Sequence, residues 1–519
     1  MKKVRFLLIL ITVQAILLGL LGQVSAFGAE EGGDNITVAL SGQILSLDPQ
    51  RSAGTPSECV RRQMYEGLVY SDENNRIHPL LADEWSVSED GLTWTFNLKK
   101  GIKFHDGTVM TAAAVVKSFD RLLNKETGSN RRYLYADFES VKALDDHTVQ
   151  VKTKVRKANF LHLMAYGGAH VISPAAIEKY GDKLTDHPVG TGPYMMKKKL
   201  TGEYVDLVRF DQYWGGKPKL AGIKFMTVKE EATRVTMLEK GEADFIVNVP
   251  PQDLARLTKD EKVTVRQDPS NRVAHIGMNV TKGPFAKEKV RQALNYAVNR
   301  DLLLKGVCGG VGKQAQSVIA PATWGFHPVS PYKYDKDKAL ALLKEAGFPE
   351  GFKAKLWTPQ GRYFRDKETS LAVAGQLKKV GVELEVEVID WGQYLKLLRV
   401  GADQGNKVEA YMLGWESVTG EANYLMNAVF ASKNQPPKGW NTMFYKNPRV
   451  DELSEITGQA IDDAQRKAMF KEFQEIVIKE APWIPLYVYE QLSAHRSDLK
   501  GISILPMEVP MFTRAYLGD

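Results

Sequence analysis

Two arginines in the segment TPQGRYFRD have side chains that could hold a carboxylate: Arg362, which is followed by Tyr363, and Arg365. An arginine guanidinium presents paired N–H donors whose spacing matches the two oxygens of a carboxylate. The segment follows the predicted strand AKLW, which places both arginines in a loop at a strand end. Arg362 or Arg365 could therefore bind a ligand carboxylate, or both side chains could only face solvent.

Trp415 stands with Gly414 at the end of a second predicted strand, AYMLGW. In open α/β sheets, ligands bind beyond the carboxyl ends of the strands. A flat aromatic side chain at that place can cover a peptide backbone. Tryptophan also buries a large area in protein cores, so core packing is the alternative for Trp415.

Common catalytic and metal-binding motifs are absent from the sequence. It contains no HExxH, no paired CxxC and no GxSxG, and its nine histidines are scattered. The glycine-rich run GVCGGVGKQ at 306–314 does not fit a phosphate loop, because Val307 and Gln314 replace a required glycine and a required Ser or Thr. We therefore expect a binding protein without catalytic residues, metal or cofactor.

The predicted elements alternate between strands and helices, which indicates the α/β class. Strands are predicted at 35–40, 93–98, 148–151 and 382–388, and helices at 59–68, 111–124, 230–241, 289–305, 336–346 and 370–380. Thr111 is a predicted N-cap. In PVGTGPY at 188–194 we expect a rigid crossing, with glycines that supply backbone angles closed to other residues.

The N-terminus has the pattern of a secretory signal peptide. Three basic residues within the first five precede an apolar run at 6–21 and then small residues up to Ala26, so we expect cleavage after Ala26, with Ala29 as the alternative. The run is too short to span a membrane. The first cysteine is Cys59, too far away to carry a lipid anchor, and a soluble periplasmic protein is predicted.

Charge and length restrict the class further. Removal of the three basic residues lowers the formal net charge from +7 to +4, and the remaining charges of both signs are interspersed, which argues against nucleic-acid binding. Nearly 500 residues imply at least two lobes. Cys59 and Cys308 are predicted to be separate buried thiols, because a disulfide would join lobes that must move. Pairing stays the alternative.

Several long segments resemble a known family. They are PLLADEWSVSEDGLTWTFNLKKGIKFHDG at 79–107, PVGTGPY at 188–194, YWGGKP at 213–218, PFAKEKVRQALNYAVNR at 284–300, TGEANYLMNAVFASKNQPP at 419–437, NTMFYKNPRVDEL at 441–453 and APWIPLYVYEQLSAH at 481–495. Together they resemble the extracellular solute-binding proteins of peptide, nickel and glutathione importers. The C-terminal third is most similar to the glutathione-binding branch.

The resemblance implies a two-lobed periplasmic binding protein of type II, cluster C. Lobe 1 would comprise 30–272 and 486–519, with an extra subdomain at about 70–190. Lobe 2 would comprise 273–485, and two strands would form the hinge. The implied partners are a small peptide or glutathione-like ligand and the ABC permease and ATPase subunits in the inner membrane, with the receptor itself a monomer.

The resemblance also implies binding residues in the C-terminal third. Arg362 lies in the loop where the dipeptide branch has an arginine for the ligand carboxylate, so we expect Arg362, and not Arg365, to bind that group. Glu421 and Asn423 lie where the family places acids that meet a ligand ammonium. Because the last acid of that pattern is Asn423 here, we expect Glu421 to carry the charge, or else to lie in a solvent-exposed loop. Trp440 precedes Asn441, which matches an asparagine shared across the family. Asn441 either contacts a peptide carbonyl or stabilises its own turn.

The predicted function is therefore a solute receptor for glutathione or a di- or tripeptide. Within the family, the alternatives are receptors for nickel chelates, haem or opines. Outside it, a hydrolase on the same scaffold or a periplasmic sensor or chaperone is the alternative, because a fold does not determine a function.

Overall fold

The computed structural model describes residues 34–51, 54–329, 332–460 and 462–518. The predicted signal peptide and both cleavage sites lie outside these residues. The strands are β1 Asn35–Leu40, β2 Val69–Ser71, β3 Ile77–Pro79, β4 Ala82–Val87, β5 Thr93–Leu98, β6 Phe138–Asp145, β7 Thr148–Thr153, β8 Tyr194–Leu200, β9 Tyr204–Arg209, β10 Gly222–Thr227, β11 Phe245–Val247, β12 Val263–Met278, β13 Lys313–Gln314, β14 Phe352–Thr358, β15 Val382–Val388, β16 Ala410–Glu416, β17 Trp483–Arg496, β18 Leu499–Lys500, β19 Ser503–Leu505, β20 Val509–Met511 and β21 Tyr516–Leu517.

The α-helices alternate with these strands along most of the chain. They are α1 Thr55–Met64, α2 Ala112–Leu123, α3 Phe160–Met164, α4 Pro174–Tyr180, α5 Glu231–Glu239, α6 Pro251–Leu257, α7 Glu288–Ala297, α8 Arg300–Gly306, α9 Lys336–Glu345, α10 Asp366–Leu377, α11 Trp391–Leu398, α12 Ala422–Leu425, α13 Pro448–Gln459 and α14 Asp463–Glu480. The predicted α/β class is confirmed. No helix in the described part of the chain is long and apolar enough to cross a membrane.

One mixed sheet of eleven strands extends across both halves of the described molecule. Its strand order is β15-β14-β16-β12-β17-β11-β1-β10-β9-β8, with β13 paired to β17. Its two longest strands, β12 and β17, lie in the middle and pair antiparallel from Val263 opposite Arg496 to Gly277 opposite Trp483. The ladder between them is interrupted between Pro269 and Val273. The two halves of the molecule are therefore built on the two ends of this strand pair.

Separate hydrophobic cores define the two halves. We call the half around β1 and β8–β11 the first lobe. It includes residues 499–517 and a four-stranded sheet, β4-β5-β7-β6, with its own core. The half around β14–β16 is the second lobe, and Ile276, Leu486 and Tyr487 of the central strands pack in its core. Apolar side chains at alternating strand positions and on one face of each helix build both cores.

The predicted strands at 35–40, 93–98 and 382–388 have the observed bounds, whereas some helix ends differ. The predicted helix at 289–305 is two helices, because Asn299 caps the second one by accepting a hydrogen bond from the Leu302 N–H. Thr111 occupies the predicted N-cap position of α2. The predicted capping hydrogen bond is wrong, because the Thr111 hydroxyl accepts none from the first turn.

The PVGTGPY segment crosses over the end of α1, but its glycines serve a different purpose from the predicted one. Neither Gly190 nor Gly192 has a positive φ. A Cβ atom at Gly190 would lie 2.2 Å from the Met64 carbonyl oxygen, and one at Gly192 would lie 2.7 Å from the Gln63 carbonyl oxygen. These glycines are required because the two backbones approach closely.

Cys59 and Cys308 are separate buried thiols, as predicted. Burial raises the pKa of both, that of Cys308 to about 11. Both therefore stay protonated at neutral pH and pack as small apolar side chains.

Glu66 joins two of the sequence motifs inside the first lobe. Its buried carboxylate accepts hydrogen bonds from the Thr191 hydroxyl at 2.8 Å, the Tyr213 hydroxyl at 2.6 Å and the Trp214 indole N–H at 2.9 Å. Burial raises the Glu66 pKa to about 7, and the three donors lower it only in part.

The first prediction concerns the pH dependence of folding stability. Because the Glu66 pKa is raised from its ordinary value of 4.5, the folded state binds this proton more tightly than the unfolded state. Stability from this group is complete below about pH 4.5 and is lost as the pH rises to about 7, by up to about 3 kcal/mol. Urea unfolding of wild type and Glu66→Gln across this range should show the difference in slope. The exposed Glu89→Gln is the control, and equal slopes for wild type and Glu66→Gln would contradict the assignment.

Candidate functional site

A cavity of about 30 Å³, partly open to solvent, lies between the two lobes. The first lobe contributes Arg62, Asp72 and Tyr166 to its wall, the second lobe contributes the loop 417–420, and β12 contributes Asn271. A concave site enclosed by two lobes suits a small solute, because such a site buries most of the ligand surface.

Direct contacts between the lobes close this cavity. The Asn75 side chain of the first lobe donates to the Ala322 carbonyl at 2.6 Å, and the Ala158 N–H donates to the Gly458 carbonyl at 2.9 Å. Asn75 also packs on Gly420, where a Cβ atom would lie 2.6 Å from the Asn75 Oδ1. The structure therefore represents a closed arrangement of the lobes.

A buried charge cluster lies behind the first-lobe wall of the cavity, and its member Arg62 lines the cavity. The Glu58 carboxylate contacts Arg61 at 2.5 Å, Arg62 at 3.0 Å and Arg131 at 3.1 Å. Burial alone would raise the Glu58 pKa, but the three guanidinium groups hold it well below its usual value. Burial also lowers the pKa of nearby His170 to about 3, so this histidine is neutral. The cluster is therefore positive overall.

A second charge cluster lies where β12 crosses between the lobes. Arg272 donates to Glu416 of the second lobe at 2.5 Å and to Glu508 of the first-lobe segment at 3.1 Å. Burial opposes the charge of Arg272, but the two carboxylates raise its pKa above the usual value. Burial also raises the Glu416 pKa. Arg272 thus joins the two lobes through a single guanidinium.

Arg362 lies in a loop that a buried carboxylate organises. The backbone N–H groups of Gly361, Arg362 and Tyr363 donate to Asp366 at 2.9 to 3.0 Å. The Arg362 guanidinium lies 4.8 Å from the Tyr363 ring centre and 5.1 Å from that of Trp391. It donates no hydrogen bond to any residue that the structure describes. Its N–H groups are therefore free for a ligand.

Arg365, the alternative, is already engaged. Its backbone is left-handed, with a φ of 54°, and its guanidinium donates to the Gln252 side chain of the first lobe at 3.0 Å. The structure therefore favours Arg362 as the arginine available to a ligand.

The two tryptophans of the predicted site lie side by side. The ring centres of Trp415 and Trp440 are 5.8 Å apart, and the Arg399 guanidinium lies 5.1 Å from the Trp440 ring. The Trp415 indole N–H is buried without a partner among the described residues. Both side chains are half-buried, and Trp415 packs at the margin of a second-lobe core.

Three predicted binding residues make structural contacts instead. Glu421 is buried and forms an ion pair with Arg466, which itself lies over the Trp324 ring. Asn423 donates to the Ser454 carbonyl and the Thr457 hydroxyl of α13. The expectation that Glu421 faces a ligand ammonium, with Asn423 beside it, is therefore corrected.

Asn441 completes the correction, because its entire amide is used inside the second lobe. It donates to the carbonyls of Phe430, Ala431 and Tyr445, and it accepts from the Tyr445 N–H. Of its two predicted roles, the structure supports stabilisation of its own turn.

Sequence reasoning missed Arg62, Asn271, Arg272 and Glu416. A signal existed for Arg62, since Glu58 and Arg62 lie four apart on one helix and can form an ion pair. No comparable pattern marked Asn271 or Arg272, whose partners Ser417 and Glu416 lie far along the chain.

A cavity between two α/β lobes joined by a central strand pair defines a two-lobed solute receptor. The chain belongs to the bacterial extracellular solute-binding proteins, family 5: residues 76–437 match the family described as "Bacterial extracellular solute-binding proteins, family 5 Middle". The resemblance stated from the sequence is confirmed.

Individual relatives cover nearly the whole chain. The glutathione-binding protein GsiB of Salmonella choleraesuis (strain SC-B67) is 36% identical over 490 residues, which cover 94% of this chain and 95% of the relative. GsiB of Escherichia coli O1:K1 / APEC is 37% identical over 482 residues, covering 93% of each chain. The periplasmic binding protein DppA from Helicobacter pylori, solved with the peptide STSA, has a TM-score of 0.82 and 27% identity, and covers 94% of this chain and 98% of DppA.

The second prediction separates the structural role of Glu421 from a binding role. Glu421→Gln leaves Arg466 buried without its counter-charge, which should lower the free energy of unfolding by about 3 to 5 kcal/mol. The double variant Glu421→Gln/Arg466→Met should recover part of this loss. Chemical denaturation measures both. Unchanged stability together with lost peptide affinity would instead return Glu421 to the binding site.

Proposed function

We propose that this protein is the periplasmic receptor of an ABC importer for a short peptide, with glutathione as the first candidate. The observation that carries the proposal is the closed cavity between the lobes, which Arg62 of the first lobe and Asn271 of the central strand line. Arg362 and the two tryptophans do not line it, and Arg362 enters the proposal because its guanidinium is free of hydrogen bonds to the described residues. The names of the relatives, glutathione-binding and peptide-bound receptors, support this ligand class.

The remaining parts of the proposal follow from the receptor role. Residues 1–26 act as a cleavable signal peptide without a lipid anchor. The lobes comprise 30–272 with 486–519 and 273–485. A monomer closes around its ligand and delivers it to the membrane permease and ATPase subunits, and it catalyses no reaction. Arg362, Tyr363, Trp415 and Trp440 contact the ligand.

The third prediction tests the ligand class. A ligand that binds only the folded state at about 100 times its Kd stabilises the protein by roughly 2.7 kcal/mol, which shifts the Tm measurably. Reduced glutathione, oxidised glutathione, dipeptides and tripeptides should be screened by calorimetry and thermal unfolding. Native mass spectrometry of the purified protein would identify a ligand retained from the cell. No heat and no Tm shift with any of these would exclude the proposal, and nickel chelates and haem would then be screened.

The fourth prediction concerns Arg362. Its guanidinium can form two parallel hydrogen bonds to a carboxylate, whereas a lysine ammonium cannot. Arg362→Lys should therefore weaken peptide binding about tenfold, although the charge is kept. Arg365→Lys is the matched control and should change the affinity little, because Arg365 contacts Gln252. Titration calorimetry distinguishes the two variants. The reverse order of effects would show that Arg365 is the ligand-binding arginine.

A further inference from the structure

Three residues that line the cavity have a buried polar atom without a hydrogen-bond partner among the described residues: the Ser71 Oγ, the Asn271 Oδ1 and the Thr419 Oγ1. Asn271 and Thr419 are each only 3% exposed. A buried polar atom without a partner is costly, because it has lost its hydrogen bonds to water. A ligand in the cavity can supply the missing partners.

The chemistry of Asn271 specifies what the ligand must offer. Its Nδ2 donates to the Ser417 carbonyl at 2.7 Å. Exchanging the two amide atoms would point Oδ1 at that carbonyl oxygen, so the contact determines the amide orientation. The unpartnered Oδ1 can only accept a hydrogen bond. The ligand must therefore bring an N–H or O–H donor to Asn271.

The first-lobe wall of the cavity favours a ligand anion. Arg61, Arg62 and Arg131 share the single carboxylate of Glu58, and Arg62 is the one of the three that lines the cavity. Among the residues that the structure describes, the Arg62 guanidinium has one hydrogen-bond acceptor besides Glu58, the Ala165 carbonyl at 3.5 Å. A buried guanidinium with so few acceptors favours a ligand anion.

Asp72, the acid on the same wall, does not fulfil this role. Its carboxylate accepts from the backbone N–H groups of Asn74 and Arg76 and pairs with His78 at 2.8 Å. Arg62 is therefore the guanidinium that lines this wall, and the acid beside it already has its own partners.

We infer that the ligand presents a carboxylate to Arg62 of the first lobe and an N–H group to Asn271 of the central strand, so that the receptor selects anionic, amide-containing solutes. This inference rests on the proposed function and adds a carboxylate subsite on the lobe opposite to Arg362. A peptide with two carboxylates, such as glutathione, can occupy both subsites, whereas a peptide with blocked carboxylates cannot.

The experiment combines changes in the ligand with changes in the protein, and calorimetry measures each Kd. The probes are glutathione, its monoethyl ester and its diethyl ester. Wild type should bind the diethyl ester at least tenfold more weakly than glutathione. In Arg62→Met, glutathione should bind about 10 to 100 times more weakly, and blocking one of the two carboxylates should no longer matter.

Matched variants separate these contacts from general damage. Arg61→Met removes another guanidinium of the same Glu58 cluster that does not line the cavity, and it should keep the preference for free carboxylates. Thr419→Val should weaken glutathione binding about five- to tenfold. Thr227→Val, which also removes a buried hydroxyl without a partner but lies in β10, should leave binding unchanged.

The possible outcomes are distinct. If wild type binds no peptide and no glutathione, the proposed function fails. If wild type binds glutathione and both esters equally, the receptor role stands but the carboxylate subsites are excluded. If Arg62→Met keeps the full wild-type preference for free carboxylates, Arg62 is not one of these subsites. The comparison of esters on wild type needs no variant. It therefore shows whether the receptor requires free carboxylates even if Arg62→Met does not fold.

Discussion

The antiparallel pairing of β12 with β17 is the constraint on which both lobes and the cavity depend. Each strand contributes to both lobes: Val263 packs in a first-lobe core, whereas Ile276 packs in the core of the second. A continuous ladder resists bending, because its backbone hydrogen bonds would be lost. The interruption between Pro269 and Val273 is therefore the natural place for the lobes to change their angle. Asn271 and Arg272 lie in that interruption, so their contacts respond directly to lobe closure.

Charge is arranged around this crossing with opposite signs. The Glu58 cluster behind the first-lobe wall holds three guanidinium groups, whereas the crossing itself holds two carboxylates, Glu416 and Glu508, around Arg272. Buried charges are costly unless they are paired, so each cluster is stable only because its partners are in place. A ligand that carries both a carboxylate and an ammonium matches this arrangement in sign. The same arrangement disfavours an apolar solute, because such a solute would exclude water from both charged clusters and offer them no hydrogen bond.

The sequence predicted the α/β class, several strand bounds and the separate thiols, because these depend on local alternation and on spacing. It did not predict which side of the chain a loop residue faces. The resemblance places Asn423 in the site, but its contacts are 31 and 34 positions away on α13. The contact between Asn271 and Ser417 spans 146 positions. Such pairings depend on how the lobes pack, which no local pattern records.

Asn441 and Asn271 differ in how many of their amide atoms are hydrogen-bonded within the protein. Asn441 uses both ends of its amide inside the second lobe, which leaves nothing for a solute. Asn271 uses only its N–H end, to position the Ser417 loop against β12, and keeps its oxygen at the cavity. An unpaired buried acceptor destabilises a protein, and at the cavity a ligand can complete it. The Asn271 amide therefore positions the second-lobe loop through its N–H end and offers its oxygen to the ligand. Ligand binding and lobe closure are coupled through this one amide.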